Sequence, residues 1–384
     1  MKKTPTIRIG TAFSGIGSFE QALEILNIPH EIVFACDNGG IMLEDIASEK
    51  EMNSISMESD PLKKLQLVED IYLKTKRRTN FVKQAYLSNY DLDPTNFYHD
   101  VRYLGSHIEK EIDVFVGGSP CQSFSTAGAR GGFEDTRGTL FFEFARNVKE
   151  FQPKVFIYEN VKGLLHHDQG RTFATVLNTF EELGYKFHYQ ILTPKDFGIP
   201  QSRQRIFVIG FKDHEIGSNF NFPKPIDLQF KMGDFLIGAV DAKRTGLKPD
   251  FLRNKKRLGN ETGINTTNVE AKFFPSDRLV ATLMKTESRS GSMKFNPTIN
   301  TDIAKALTAT MHKMHRASMD NYVTTEGKFR KLTPRECLRL MGFPDTFKQS
   351  VSDLQTYKQA GNSIVVDVLM AIIKQIVATD VFKK

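Results

Sequence analysis

The chain is poor in cysteine: Cys36, Cys121 and Cys337 are the only three among 384 residues, they lie far apart, and their number is odd. No Cys-x-x-Cys and no paired Cys/His spacing occurs, which argues against a disulfide framework and a zinc module and for a reducing cytoplasm. Long apolar runs are missing too. Lys2 and Lys3 are not followed by an apolar core, so no signal peptide is expected. The most apolar late stretch, Val365 to Val377, is broken by Asp367 and Lys374 and is too short to span a bilayer. Internal repeats and low-complexity tracts are absent. What remains is the composition of an ordinary soluble protein, 40% hydrophobic and 25% charged. Its length suits two domains, or one with a substantial insertion.

The formal net charge of +7 is unevenly placed. Between Lys231 and Arg330 there are 18 Lys and Arg against 10 Asp and Glu, a balance of +8, which leaves −1 for everything else. A solvated basic face would account for this, as would a surface that binds a polyanion. The same stretch is rich in Lys, Arg, Asn, Thr and Gly and has little sustained periodicity, which suits a small, loop-rich domain.

The amino-terminal part alternates strand and helix signals. Ile7 to Phe13 reads as a first strand, Ser14-Gly15-Ile16-Gly17 as a glycine turn, and Phe19 to Leu26 as an amphipathic helix. Such a turn brings backbone N–H groups and a helix start up to a ligand. Ile32 to Cys36 gives a second strand ending at Asp37, where an acidic side chain can accept hydrogen bonds from ribose hydroxyls. A dinucleotide fingerprint would want glycine at position 20; Glu20 stands there and argues against a nicotinamide enzyme. Residues from about Leu43 to Asn96 read as largely helical and polar, with a basic knot at Lys74, Lys76, Arg77 and Arg78.

Ile112 to Val116 is a buried strand followed by Gly117-Gly118-Ser119-Pro120-Cys121, so Cys121 stands just past a strand's carboxyl end, where open α/β sheets place their chemistry. A lone cysteine there is often just a small buried apolar residue; as a thiolate it would be a nucleophile. The glycine-rich Ala127 to Gly138 is a linker or a mobile lid. Val155 to Tyr158 is another strand, with Glu159-Asn160-Val161 at its end, and Thr172 to Leu183 a helix. Phe187 to Leu192 and Arg205 to Phe211 flank Gln201, Arg203 and Arg205, whose period of two puts all three on one face of an extended chain. Thr333-Pro334-Arg335-Glu336 is a capping box with proline at the first helical position. Gln359-Ala360-Gly361-Asn362-Ser363 leads into a last helix, Ile364 to Val377.

In their order and spacing, FSGIG at 13–17, GGSPCQSFS at 117–125, ENV at 159–161, QSRQR at 201–205, RKLTPRECLRLMGFP at 330–344 and QAGNS at 359–363 resemble the bacterial DNA (cytosine-5) methyltransferases of restriction-modification systems. That resemblance implies a Rossmann-like methyltransferase fold, a twisted, mainly parallel sheet with helices on both faces. A catalytic domain over 1–229, carrying the insert at about 43–96, would be followed by a target-recognition domain over 230–332 and a carboxyl-terminal return over 333–384. Carbon-5 of cytosine is a poor nucleophile until a thiolate adds at carbon-6. The resemblance assigns that thiolate to Cys121, contact with nitrogen-3 and the exocyclic amine to Glu159, and stabilisation of the carbonyl oxygen to Arg205 and Arg203.

The cofactor implied is S-adenosylmethionine, leaving as S-adenosylhomocysteine, with no metal. Phe13, Gly15, Ile16 and Gly17 match its loop, Asp37 the ribose-binding acid with Asn38 beside it, and Asp100 with Val101 the adenine contact. Pro120, Leu140, Asn362 and Ser363 complete the pocket. The family commonly has a bulky apolar residue where Asn38 stands and often a glycine where Ser18 stands. Double-stranded DNA would be the partner, with the target cytosine flipped out and GARGGFEDTRGTLFFE at 128–143 closing over it. Gln122, Ser125, Arg137 and Gln201 are the expected DNA contacts, and the basic stretch would read base edges. The family's Thr-Leu element is either Thr282-Leu283 or the neighbourhood of Leu307-Thr308. An accompanying restriction endonuclease, action as a monomer on DNA and a cytoplasmic, nucleoid-associated location follow from the same resemblance. Related enzymes methylate transfer RNA, and a catalytically dead regulatory module is the remaining alternative; the long basic stretch favours DNA, and the complete set Cys121, Glu159, Arg203 and Arg205 favours an active enzyme.

Overall fold

The structure, a computed structural model, describes residues 5–75, 78–105, 107–108, 110–120, 140–237, 269–284, 298–313, 315–316 and 319–383. The chain forms two compact units, one of residues 1–192, 204–223 and 372–384, the other of 193–203 and 224–371. Residues 333–371, expected to return to the catalytic domain, instead belong with the second unit. Arg339 and Glu336 are the physical reason. The Arg339 guanidinium donates to the Phe235 and Leu236 carbonyls, and Glu336 accepts from the Ile237 N–H, tying this segment to the start of the basic region.

The first unit is built on a seven-stranded sheet of β1 (Ile7–Ala12), β2 (His30–Cys36), β3 (Phe97–Tyr98), β4 (Val114–Gly117), β5 (Val155–Val161), β6 (Lys186–Leu192) and β8 (Arg205–Phe211). Their order is β3-β2-β1-β4-β5-β8-β6. The first five pair in parallel, and β8 runs antiparallel to both neighbours, so the sheet is mainly parallel as expected. The chain leaves β1 toward one edge and comes back to lay β4 on its other side. That reversal opens a crevice at the carboxyl ends of β1 and β4.

Register decides what surrounds the crevice. Tyr98, Cys36, Ala12, Gly117 and Tyr158 form one row across five strands. The residues that follow them, His99, Asp37, Phe13, Gly118 and Glu159, therefore emerge side by side. β5 runs three residues further than its apolar run suggests, because Val161 pairs with Arg205 of β8. Glu159 accordingly lies within the strand and not beyond it.

Phenylalanine fills the core. α5 (Leu140–Phe151) and α6 (Arg171–Glu182) bring Phe141, Phe144 and Phe180 against Phe115, Phe156 and Tyr158. The Phe115 and Phe144 rings stack at 4.8 Å and those of Phe156 and Phe180 meet at 4.3 Å. Each such side chain contributes about 1.5–3 kcal/mol by burial. A Cβ on Gly117 would lie 2.8 Å from the Phe144 ring, so this core needs glycine where the strand ends. The insert folds into α2 (Glu49–Met57), α3 (Pro61–Lys74) and α4 (Phe81–Asn89) and has its own core of Leu43, Ile55, Val68, Ile71 and Tyr72.

The described residues of the second unit form short elements. β7 (Gln201–Ser202) pairs with β9 (Ala304–Lys305), and β10 (Tyr322–Thr325) with β11 (Lys328–Lys331) through a two-residue turn in which Glu326 and Gly327 both have positive φ. α8 (Asp277–Met284) precedes them. α9 (Pro334–Leu340) begins with the expected capping box of Thr333 and Glu336. Glu336 is entirely buried and receives two bonds of 2.8 Å from Arg330, itself entirely buried. Gly342, with φ 84°, ends the helix. Asp353–Ala378 is long and apolar enough by length and composition to cross a membrane, and 67% of its most apolar window is buried. It is two helices, α10 (Asp353–Asn362) and α11 (Val366–Ala378), separated by Ser363 to Val365.

At the opposite end of the sheet, Asp113 accepts from the backbone and guanidinium of Arg8 at 2.9–3.1 Å and faces Lys154 at 3.3 Å. Burial works to raise its pKa, but the Arg8 bonds and the Lys154 charge outweigh it and hold the carboxyl below its ordinary range. A carboxyl so lowered stabilises the fold fully above its ordinary pKa and loses that contribution as pH falls through the lowered value. Asp113→Asn is expected to cost about 1–3 kcal/mol at neutral pH and to flatten the acid limb of the stability curve, as read by denaturant unfolding across pH. An acid limb identical to that of the parent would contradict this.

Candidate active site

Glu159 and Arg205 meet at the crevice edge of the sheet. The Arg205 Nε lies 3.0 Å from the Glu159 Oε1, with the two side chains only 13% and 20% exposed. Opposite pairing of β5 and β8 makes them diagonal neighbours, within reach of a long side chain. Arg205 also donates to the Gln204 carbonyl at 2.9 Å. The approach to Cys121 is held just beside them. Asn160 donates to the Ser119 carbonyl at 3.0 Å and to the Tyr158 hydroxyl at 2.9 Å, and that hydroxyl shares a 2.8 Å bond with the Ser119 hydroxyl. A Cβ on Gly118 would lie 2.9 Å from Glu159 Oε2 and 3.0 Å from its carbonyl oxygen. Glycine is therefore what lets the chain leading to Cys121 pass directly over the carboxylate. This clamp of Ser119, Tyr158 and Asn160 was not foreseen from the sequence, although Asn160 lies inside the ENV motif.

Cys121, Gln122, Ser125 and Arg137 lie outside the described residues, as does the segment 127–138. The other two cysteines are buried, and burial pushes both thiols well above their ordinary pKa. Neither suits a nucleophile.

The QSRQR motif divides. Gln201 is entirely buried; its amide donates to the Leu340 carbonyl and its oxygen accepts from the Leu307 N–H. It serves the interior of the second unit and not a DNA surface, contrary to expectation. Arg203 is likewise buried, donating to the carbonyls of Leu307, Gly361 and Ser363 at 2.6–3.0 Å. These two share a face as the period of two suggests, but Arg205 opens β8 and takes the carboxylate instead. The guanidinium expected to assist Arg205 thus acts as a strut between the Leu307 chain and the QAGNS segment.

Around the first glycine turn the backbone is bent into the left-handed region at Phe13 (φ 54°), Gly15 (φ 55°) and Gly17 (φ 77°). Among the described residues nothing lies within 4 Å of where a Gly15 Cβ would point, an open cradle. Asp37 fixes that cradle by accepting from Gly15 N–H at 3.0 Å and Gly39 N–H at 2.8 Å. Withdrawal from water raises its pKa, and those two N–H groups work the other way. A carboxylate has about four lone-pair sites, so acceptor capacity remains for two ribose hydroxyls. This geometry fits an S-adenosylmethionine loop. Ile16 is buried beneath it, and Asn38 turns its oxygen to Gly40 N–H at 2.8 Å and its amide toward Met42. Asp100, expected opposite adenine, has both carboxylate oxygens bonded by Arg102, which also reaches Glu44 of the insert. The Val101 carbonyl accepts from Arg146 and Asn147 of α5. Leu140 is half-buried at the start of α5. In the second unit, Ser363 is buried and Asn362 exposed.

Sheet order and loop geometry together fit the Rossmann-like methyltransferase fold. The model of the C-5 cytosine-specific DNA methylases matches residues 71–378. The Type II methyltransferase M1.ScrFI of Lactococcus lactis subsp. cremoris is 36% identical over 295 residues, 76% of this chain and 68% of that protein. M.SsoII of Shigella sonnei is 37% identical over 79% of this chain and 76% of its own length, and M.HhaI of Haemophilus parahaemolyticus 35% over 76% and 83%. The chain belongs to the C-5 cytosine-specific DNA methylase family, and it is a DNA cytosine methyltransferase that takes its methyl group from S-adenosylmethionine. The solved S. pombe Dnmt2 methyltransferase shares the fold, with a TM-score of 0.60 at 17% identity over 97% of this chain and 98% of that one.

Because Gly118 separates the Cys121 approach from Glu159, Gly118→Ala must push one of them aside. A displacement near 1 Å at a reacting group costs on the order of 100-fold in rate. Gly118→Ala is therefore expected to lower kcat by about that factor while S-adenosylhomocysteine binding, measured by calorimetry, stays within about twofold, since no atom of the first glycine turn is involved. A variant with unchanged kcat would show that the close approach has no bearing on turnover.

Proposed function

We propose that Cys121 is the nucleophile of this methyltransferase and that the Glu159–Arg205 pair makes its addition to cytosine favourable. The observation that carries the reading is the 3.0 Å pair at the carboxyl edge, with Ser119 of the chain leading to Cys121 clamped alongside it. A thiolate forming a bond to carbon-6 sends the electrons of the carbon-5 double bond toward the ring, and charge develops at nitrogen-3 and the carbonyl oxygen. Glu159 in its protonated form would give its proton to nitrogen-3 and accept from the exocyclic amine. Arg205 would stabilise the oxygen while remaining bonded to Glu159, a placement that needs no rearrangement as charge develops. When bound, S-adenosylmethionine supplies an electrophilic methyl group to the activated carbon-5. As carbon-5 takes the methyl group nitrogen-3 returns its proton to Glu159, and loss of the carbon-5 proton to solvent then breaks the carbon–sulfur bond and frees Cys121 as the thiolate.

Neither side chain can meet a base stacked in a duplex, so the target is flipped out, at a cost of a few kcal/mol. Ser125, Arg137 and Gln122 would hold the flanking backbone. The basic region after Lys231 would add salt-dependent phosphate affinity and read base edges. Kinship with Type II methyltransferases supports a place in a restriction-modification system with an accompanying endonuclease, the enzyme acting as a monomer on its duplex.

Bisulfite sequencing of DNA from cells expressing the protein, with labelled methyl incorporation into duplex DNA and tRNA, tests the reading. Protection of cytosine in one short duplex sequence is expected, with no incorporation into tRNA. Cys121→Ala should abolish it, Glu159→Gln should slow it by about 10²–10⁴-fold and Arg205→Ala by about 10²–10³-fold. Methylation surviving in Cys121→Ala would refute the covalent assignment.

A further inference from the structure

The three-helix insert has no motif of its own, yet its side chains reach under both turns that form the cofactor cradle. The Tyr90 hydroxyl, just past α4, donates to the Gly17 carbonyl at 2.6 Å and lies 3.2 Å from that of Ile16. Its ring fills the space where a Gly17 Cβ would stand, 2.2 Å away. On the other turn, Asn80 donates to the Asp37 carbonyl at 2.8 Å, and a Gly39 Cβ would meet the Asn80 oxygen at 2.3 Å. The same Asn80 caps α4, its oxygen accepting from Val82 and Lys83 N–H at 3.0 Å. Between the two, the Tyr86 hydroxyl donates to buried Glu20 at 2.7 Å. Glu20 in turn accepts from Thr11, whose hydroxyl meets that of Ser14 in the glycine turn.

Resting on the cofactor assignment above, we infer that the insert is a working part of the cofactor site, with Asn80 and Tyr90 as positioning residues that hold the Gly15–Gly17 and Asp37–Gly39 turns in the shape that receives S-adenosylmethionine. Both turns pass through left-handed backbone, at Gly15, Gly17 and Gly39 (φ 55°, 77° and 63°). Glycine adopts such backbone without strain and is free to leave it, so the shape of these turns is held by contacts from outside them, and here the insert supplies those contacts from below. α4 links the two contacts rigidly, since Asn80 caps its start and Tyr90 follows its end.

Two substitutions separate this role from general folding. Asn80→Ser keeps a helix-capping oxygen but is too short to reach Asp37, and Tyr90→Phe keeps the ring against Gly17 while removing its hydroxyl. Calorimetry with S-adenosylhomocysteine on the full chain is expected to show a dissociation constant raised about three- to tenfold in each variant, the worth of one hydrogen bond. KM for S-adenosylmethionine should rise alongside, while KM for duplex DNA and kcat at saturating cofactor move by less than about twofold. Thermal midpoints in the absence of ligand report folding, and Asn80→Ser, at a half-buried cap, carries the test if Tyr90→Phe unfolds. A parent protein that binds S-adenosylhomocysteine while folded variants bind it equally well overturns the inference. A parent that does not bind it at all overturns the cofactor assignment beneath it.

Discussion

The pairing of Ala12 with Cys36 on one side and Gly117 on the other is the constraint on which the rest of this enzyme depends. Parallel strands with a common register end at a common level, so one row of pairings delivers the glycine turn, Asp37, the approach to Cys121 and Glu159 to a single edge. A shift of β4 by one residue would turn its alternating side chains over. It would bury Gly118 where Gly117 now faces Phe144 and carry Ser119 away from Tyr158. The crevice edge is thereby coupled to the phenylalanine core beneath it.

Reading the sequence located this edge well because its signals are local. Apolar β-branched runs set β1, β2 and β4 to within two residues or so, and Arg205–Phe211 in full. The capping box at Thr333 and Glu336 specified α9 because its donors and acceptors lie three residues apart. The Gly15, Gly17 and Asp37 cradle was legible for the same reason: its residue types are tied to a backbone conformation that few others adopt.

Contacts distant in sequence were not legible. Tyr90 reaches Gly17 across 73 residues and Asn80 reaches Asp37 across 43; neither stands in a pattern that would single it out from the other polar residues of the insert. Glu20 was read only as a departure from a dinucleotide fingerprint. It is in fact a buried carboxyl shared by Tyr86 and Thr11, with burial raising its pKa. The extension of β5 through Val161 likewise depends on its partner β8, forty residues later, which its own composition does not reveal.

QSRQR shows why a correct periodicity can still mislead about purpose. The boundary between the two compact units runs through the motif, between Arg203 and Gln204. Alternation places Gln201 and Arg203 together, and both grip the backbone of Leu307, one at its N–H and the other at its carbonyl. A buried guanidinium is costly unless acceptors surround it, and three carbonyls at 2.6–3.0 Å meet that demand. Charge-assisted bonds of this kind contribute about 1.5–3 kcal/mol each, and the fork geometry of arginine reaches three carbonyls that a lysine ammonium could not span. One of the three is Gly361, where a Cβ would collide with the backbone of Thr308 and Ala309 at 2.2 Å. Arg203 and Gly361 are therefore two halves of one close packing, in which the helix carrying QAGNS can approach the Leu307 chain only because one residue lacks a side chain and another supplies the donors. Arg205, two residues on, donates to the Gln204 carbonyl and stays partly exposed beside Glu159. The same side chain type is thus buried among backbone acceptors at one position and left partly exposed beside a carboxylate two residues later.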